Sequence, residues 1–119
     1  MAIGLTDVFR QVAVTNTAVL VIAGDVCLMG WNLINSIGTA AYLKFYNAAT
    51  AAAVTVGTTA VVRTLYIPAS GTAVLSNEGA FQRQFSLGMV IAVTTGIADN
   101  NSAAPSTGPY VEILYANNP

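Results

Sequence analysis

A chain of 119 residues is long enough to bury one hydrophobic core and too short for two. Charged side chains make up only 8% of it and hydrophobic ones 55%, where about a quarter charged and about half apolar is usual. The four basic residues are scattered along the chain and the net charge is −1, which argues against a clustered phosphate-binding patch, so no nucleic-acid partner is expected.

No apolar run approaches the about 20 residues of a membrane-spanning helix, and the longest candidate, residues 18–24, is stopped by Asp25. A surface so poor in charge then suits a protein largely covered by other protein copies. Near the N-terminus Asp7 and Arg10 cancel, and Thr15 and Asn16 break the segment that follows, so a protein made and used without export is expected.

Residues 1–8 read as an arm and residues 9–119 as a single β-sandwich domain. The first six residues are apolar and carry no capping pattern, so Ala2, Ile3 and Leu5 are expected to dock on a partner surface. Strands are expected over residues 9–14 and 18–22, where Val and Ile are enriched and Asn16 and Gly24 punctuate the ends.

Residues 30–47 hold two strand-like runs around Asn35, Ser36, Ile37 and Gly38, which supply turn chemistry, and so predict a hairpin. Its arms belong to strands over residues 27–34 and 40–46. On the first arm Trp31 and Leu33 share a face, and Trp31 is expected in the core. On the second, Leu43 and Phe45 alternate with Tyr42, Lys44 and Tyr46, and the charge on Lys44 marks its face as the one meeting water.

Residues 47–59 are rich in Ala, which favours helix, but Thr and β-branched Val compete, so a connecting loop with at most one helical turn is expected. Strand alternation returns over residues 61–67, with Arg63, Leu65 and Ile67 on one face, and Pro68 ends it. Short strands follow over residues 72–75 and 81–85, the latter an edge strand guarded by Arg83. A stronger strand covers residues 87–95, with Gly88 marking a bend or bulge. Residues 96–108 are a loop. Residues 110–116 close the fold, with Val111, Ile113 and Tyr115 facing away from Tyr110, Glu112 and Leu114. The pattern is all-β: a single β-sandwich or jelly roll of about eight antiparallel strands.

Chemistry is sparse. There is no His and one Cys, so the usual Ser or Cys triads and a zinc site lack their parts. Cys27 lies in an apolar run and reads as a buried, inert thiol. Asp7, Asp25, Glu78, Asp99 and Glu112 fall in separate predicted elements, which speaks against a paired-carboxylate hydrolase. No cofactor or metal is called for, and the chain is not read as an enzyme. Asp99, Asn100, Asn101 and Ser102 offer hard oxygen ligands for calcium, but a solvated turn is the favoured reading. Trp31, Tyr42, Tyr46, Tyr66 and Tyr110 raise a sugar-stacking platform as an alternative to core and subunit contacts. Tyr42, Tyr66 and Tyr110 are taken as contact candidates.

The runs WNLINSIGTAAYLKFYNAA, VTVGTTAVVRTLYIPASGTAVL and GMVIAVTTGIADNNSAAPSTGPYVEILY resemble small β-sandwich virion proteins of tailed bacteriophages, most of all their capsid decoration, or cement, proteins. The resemblance spans residues 30–115, and residues 31–35, 42–46 and 95–99 carry it most distinctly. It implies copies on the outside of an icosahedral head, assembled in the host cytoplasm. These would commonly be homotrimers that clamp neighbouring subunits of the major capsid protein. A tail or head-fibre component, or a carbohydrate-binding β-sandwich module, is the alternative.

Overall fold

A computed structural model describes residues 7–75 and 83–117. Among the described residues nine strands follow one another: β1 (Asp7–Gln11), β2 (Val19–Ala23), β3 (Val26–Asn35), β4 (Ala41–Asn47), β5 (Arg63–Ile67), β6 (Gly71–Leu75), β7 (Arg83–Phe85), β8 (Gly88–Thr94) and β9 (Tyr110–Asn117). The only helical element among the described residues is one 3₁₀ turn, Ala51–Ala53. The hydroxyl oxygen of Thr50 caps it by accepting from the Ala53 amide. The Ala-rich stretch is thus a connecting loop with one short turn, within the limit of at most one helical turn expected of it.

The strands form two antiparallel sheets. One runs β1-β9-β3-β6, with β7 also pairing β3, and the other runs β2-β8-β4-β5. β6 and β7 share one edge of β3: β6 pairs Trp31 to Asn35, and β7 pairs Val26 to Leu28. Counting that edge once gives nested antiparallel pairs, β4 with β5, β3 with β6 and β7, β2 with β8, and β1 with β9. This is jelly-roll connectivity, a two-ply ribbon rolled into a sandwich.

That topology corrects the hairpin expected over residues 30–47. β3 and β4 do not pair; they lie in different sheets, and the segment between them is an arch across the sandwich. Asn35 pins the arch from a buried position. Its Nδ2 donates to the Thr39 carbonyl at 2.8 Å and to the Pro68 carbonyl at 3.3 Å, and its Oδ1 accepts from the Ile37 amide at 3.2 Å. The Ser70 amide donates to the Ile37 carbonyl at 2.7 Å, tying the arch to the β5–β6 connection.

The core lies between the sheets. Val26, Leu28, Trp31, Leu33, Val111 and Ile113 from one meet Ala41, Leu43, Phe45, Leu65, Ile67, Met89, Ile91 and Val93 from the other. Trp31 is buried there, as the alternation in β3 requires. Two bulges adjust the pleat, between Leu28 and Gly30 in β3 and between Leu20 and Ile22 in β2. Gly88 enters β8 at φ +152°, where an added Cβ would stand 2.5 Å from the Ala48 carbonyl oxygen. Backbone approach that close admits only glycine. β1 begins at Asp7, so Asp7 and Val8, placed in the arm by the sequence reading, pair with Tyr115 and Leu114.

Candidate functional site

The two outer faces of the sandwich differ. On the sheet containing β4, three rows cross the strands: Tyr66, Tyr42 and Thr94; Thr64, Lys44 and Ala92; and Tyr46, Val90 and Leu20. Residues 48–62 pack on this face, where Ala48, Val54, Val56 and Val61 join Tyr46, Val90 and Ala92 in a second apolar cluster. Residues 95–109 close over its centre through bonds to Lys44. The two covering loops meet at Gly57, which has φ +93° and lies against Ser102 and the Asn100 carbonyl.

Lys44 therefore does point to the outer face, as its alternation demands, but it does not meet water. It is 0% exposed, and its Nζ donates to the Ala98 carbonyl and, at 3.1 Å, to the Asn101 carbonyl. A buried ammonium is tolerable only with such partners. Burial holds its pKa below the usual lysine range, and the carboxylate of Asp99 opposes that shift. Tyr46, also expected outside, is fully buried, and its hydroxyl has no hydrogen-bond partner among the described residues. Desolvation, and secondly the charge on Asp99, push its pKa up.

Two of the four candidate calcium ligands, Asn101 and Ser102, already accept hydrogen bonds. The Asn101 Oδ1 accepts from the Ala103 amide at 3.1 Å, the Ser102 carbonyl accepts from Asn16 Nδ2 at 3.0 Å, and the Ala98 and Asn101 carbonyls hold Lys44. Among the described residues no three of His, Cys, Asp and Glu gather closely enough to hold a metal ion. Glu78 lies outside the described residues.

The opposite face, on the sheet containing β3, is open among the described residues around Val8, Ile34 and Val74 and buried around Cys27 and Met29. Its rows are Val8, Leu114 and Gly30; Arg10, Glu112, Asn32 and Val74; and Tyr110, Ile34 and Thr72. Val74 is 62% exposed, Val8 55% and Ile34 42%. Arg10 and Glu112 are joined through a tyrosine. The Arg10 Nε donates to Tyr110 Oη at 3.2 Å, Tyr110 Oη donates to Glu112 Oε2 at 2.6 Å, and the guanidinium carbon lies 5.4 Å from the Tyr110 ring centre. Towards one end of this face Cys27, Met29 and Ala116 form a small buried group with Leu114 against it. The Cys27 thiol is raised in pKa by burial and then by Asp25, the condition of an unreactive thiol.

The contact candidates are thus divided. Tyr42 and Tyr66 pair across β4 and β5, with ring centres 5.6 Å apart and planes tilted by 46°. Tyr110 stands on the other sheet beside Ile34. Ala2, Ile3 and Leu5 lie outside the described residues. Val8, Ile34 and Val74 were missed as surface candidates. The signal was present for Val74, which alternates with Ala73 and Leu75, but no charge marked its face. No helix among the described residues is long and apolar enough to cross a membrane. In comparisons with family models, curated proteins and solved structures, the chain matches none.

Proposed function

We propose that the protein is a structural virion component that binds the outer surface of a phage head as a capsid decoration protein. The observation that carries this reading is the contrast between the faces: one is covered over its centre by the chain's own loops, with Tyr66 exposed at its edge, and the other leaves Val8, Ile34 and Val74 bare beside Tyr110. A sheet face with exposed apolar side chains around one cation and one anion fits a broad protein contact. Jelly rolls serve as capsid and as lectin domains, so the fold itself does not choose between them. The sequence resemblance favours the capsid, with the major capsid protein as partner and a homotrimer as the assembling unit.

A second reading has one observation behind it. Tyr66 is exposed next to Tyr42, and adjoining aromatic rings suit sugar stacking in a carbohydrate-binding module or fibre component. The tilt of the two rings weakens a flat platform. Light scattering, co-sedimentation with particles assembled without the protein, and a glycan array separate the readings. An oligomer that decorates particles and ignores sugars is expected; a monomer with glycan affinity overturns the capsid reading.

A further inference from the structure

The loop after β8 is wound about an ammonium group. Two carbonyl oxygens from a single turn, those of Ala98 and Asn101, converge on Lys44 Nζ. We propose that this 98–101 turn is a primary-ammonium site, filled in the native chain by Lys44 and able to take a small alkylammonium ion when that side chain is cut back. The inference is independent of the capsid reading.

The acceptors are held in place by bonds in which Lys44 has no part. The Asn101 amide donates to the Ala98 carbonyl at 2.9 Å, the Ala103 amide to Asn101 Oδ1 at 3.1 Å and the Thr95 amide to the Ala103 carbonyl at 3.1 Å. At the base of the loop Thr94 Oγ1 donates to the Gly96 carbonyl at 2.9 Å. From outside, Asn16 grips the Ser102 carbonyl, and Gly57 abuts Asn100 and Ser102. Bonds of this kind keep the turn closed for most of the time after its donor is removed, so a ligand can replace that donor, while the loss of the two Nζ bonds lets the turn open more often.

Charge favours a cation. Asp99 is the only titratable residue in segment 95–109, and segment 48–62 has none. β2 and β8 carry none either, and on β4 the others are Tyr42 and Tyr46. On β5, Tyr66 shares the outer face, and Arg63 turns to the Trp31 ring between the sheets. Among the described residues the formal charge whose influence reaches the ammonium is thus the Asp99 carboxylate. A ligand with N–H groups fits, since both acceptors are carbonyls that take hydrogen bonds from the Lys44 ammonium. Calcium is a poor occupant, because two carbonyls and one carboxylate fall well short of the about six to eight oxygens it takes.

Lys44→Ala removes three methylenes and the amine, a shape that n-propylammonium restores. Hydrogen exchange at the Thr95, Asn101 and Ala103 amides reads the loop, and the Leu43 and Val90 amides in the sheet serve as internal reference. Exchange of the loop amides about tenfold faster in the variant is expected, returning towards the native rate in tens of millimolar n-propylammonium chloride. Tetramethylammonium and calcium chlorides at matched ionic strength should leave it fast. Native protection in Lys44→Ala, no recovery with n-propylammonium, or equal recovery with tetramethylammonium or calcium overturns the proposal. Should that variant not fold, Lys44→Met keeps the stem and loses the donors. Loop amides then as slow as in the native chain overturn it, and faster loop exchange with an unchanged sheet supports it.

Discussion

The guanidinium carbon of Arg63 lies 5.1 Å from the centre of the Trp31 ring, joining an edge strand of one sheet to a central strand of the other. The ring is buried and the arginine half-buried, so the contact closes the flank of the core where β5 passes β6. Trp31→Ala is expected to lower stability by about 3–5 kcal/mol through the cavity it leaves. Arg63→Ala is expected to lower it by about 1 kcal/mol. Urea denaturation of the single and double variants should show non-additivity, whereas strict additivity would mean that the ring and the guanidinium do not interact.

Gly88 is expected to be among the least replaceable positions. A methyl group there meets the carbonyl oxygens of Ala48 at 2.5 Å and Ile22 at 3.0 Å, at a backbone angle that L residues rarely adopt. Both neighbours are backbone atoms of paired or bonded segments, so neither yields cheaply. Gly88→Ala should cost about 3 kcal/mol, at the upper end of ordinary substitutions. A midpoint shift within error of zero in thermal unfolding would contradict the close approach.

How much of this was legible in the chain differs by level. The strands and their inward faces followed from alternation, because Trp31, Leu33, Leu43 and Phe45 are consistent with a period of two wherever they pair. Pairing did not follow. Asn35 and Gly38 serve an arch as well as a hairpin, and β3 is buried on both faces over much of its length, so nothing local says which sheet comes next. The covering of Lys44 and Tyr46 was equally hidden. Ala- and Thr-rich loops carry no periodic signal, and their burial of one face rests on contacts as distant as Lys44 with Asn101.

Tyr46→Phe should stabilise the protein. The hydroxyl is buried without a partner among the described residues, so its desolvation is uncompensated, and deleting it recovers about 1 kcal/mol. Chemical denaturation measures this directly. Destabilisation by a similar amount would mean that the hydroxyl has a partner, such as an ordered water bridging it to the loop.

Stability should fall at alkaline pH, with a sign that can be worked group by group. Burial raises the pKa of Cys27, Tyr46 and Tyr115 in the folded chain. Their contributions are complete below the unfolded values, about 8.5 for Cys and about 10 for Tyr, and are lost as pH rises through the higher folded values. Lys44 acts oppositely. Its folded pKa lies below the usual lysine value, so the folded chain releases that proton first and gains relative stability until about pH 10.4. Above about pH 10.4 Lys44 has nothing further to add, and the two tyrosines carry a net decline. The decline should be steeper in Lys44→Met and shallower in Tyr46→Phe, as denaturation midpoints across pH 7 to about 11 would reveal. A steeper decline in Tyr46→Phe would reverse the assignment.

The open face offers the sharpest test of the capsid reading. Val74 and Ile34 are exposed on neighbouring strands, so a lysine at either site should change folding stability by no more than about 0.5 kcal/mol. In a broad apolar contact the same lysine would be desolvated without a partner, and attachment should weaken by about 2 kcal/mol or more, roughly thirtyfold in affinity. Val74→Lys and Ile34→Lys are therefore expected to fold normally and to lose particle binding in co-sedimentation. Tyr66→Ala, on the opposite sheet, should leave binding intact. Removal of residues 1–6 tests the arm in the same assay, and attachment should be lost with the fold preserved. If both lysine variants still decorate particles at full occupancy while the truncated chain does not, the arm alone is the anchor and the bare face has another use. If Tyr66→Ala is the variant that fails, the contact belongs to the Tyr42 and Tyr66 side of the sandwich.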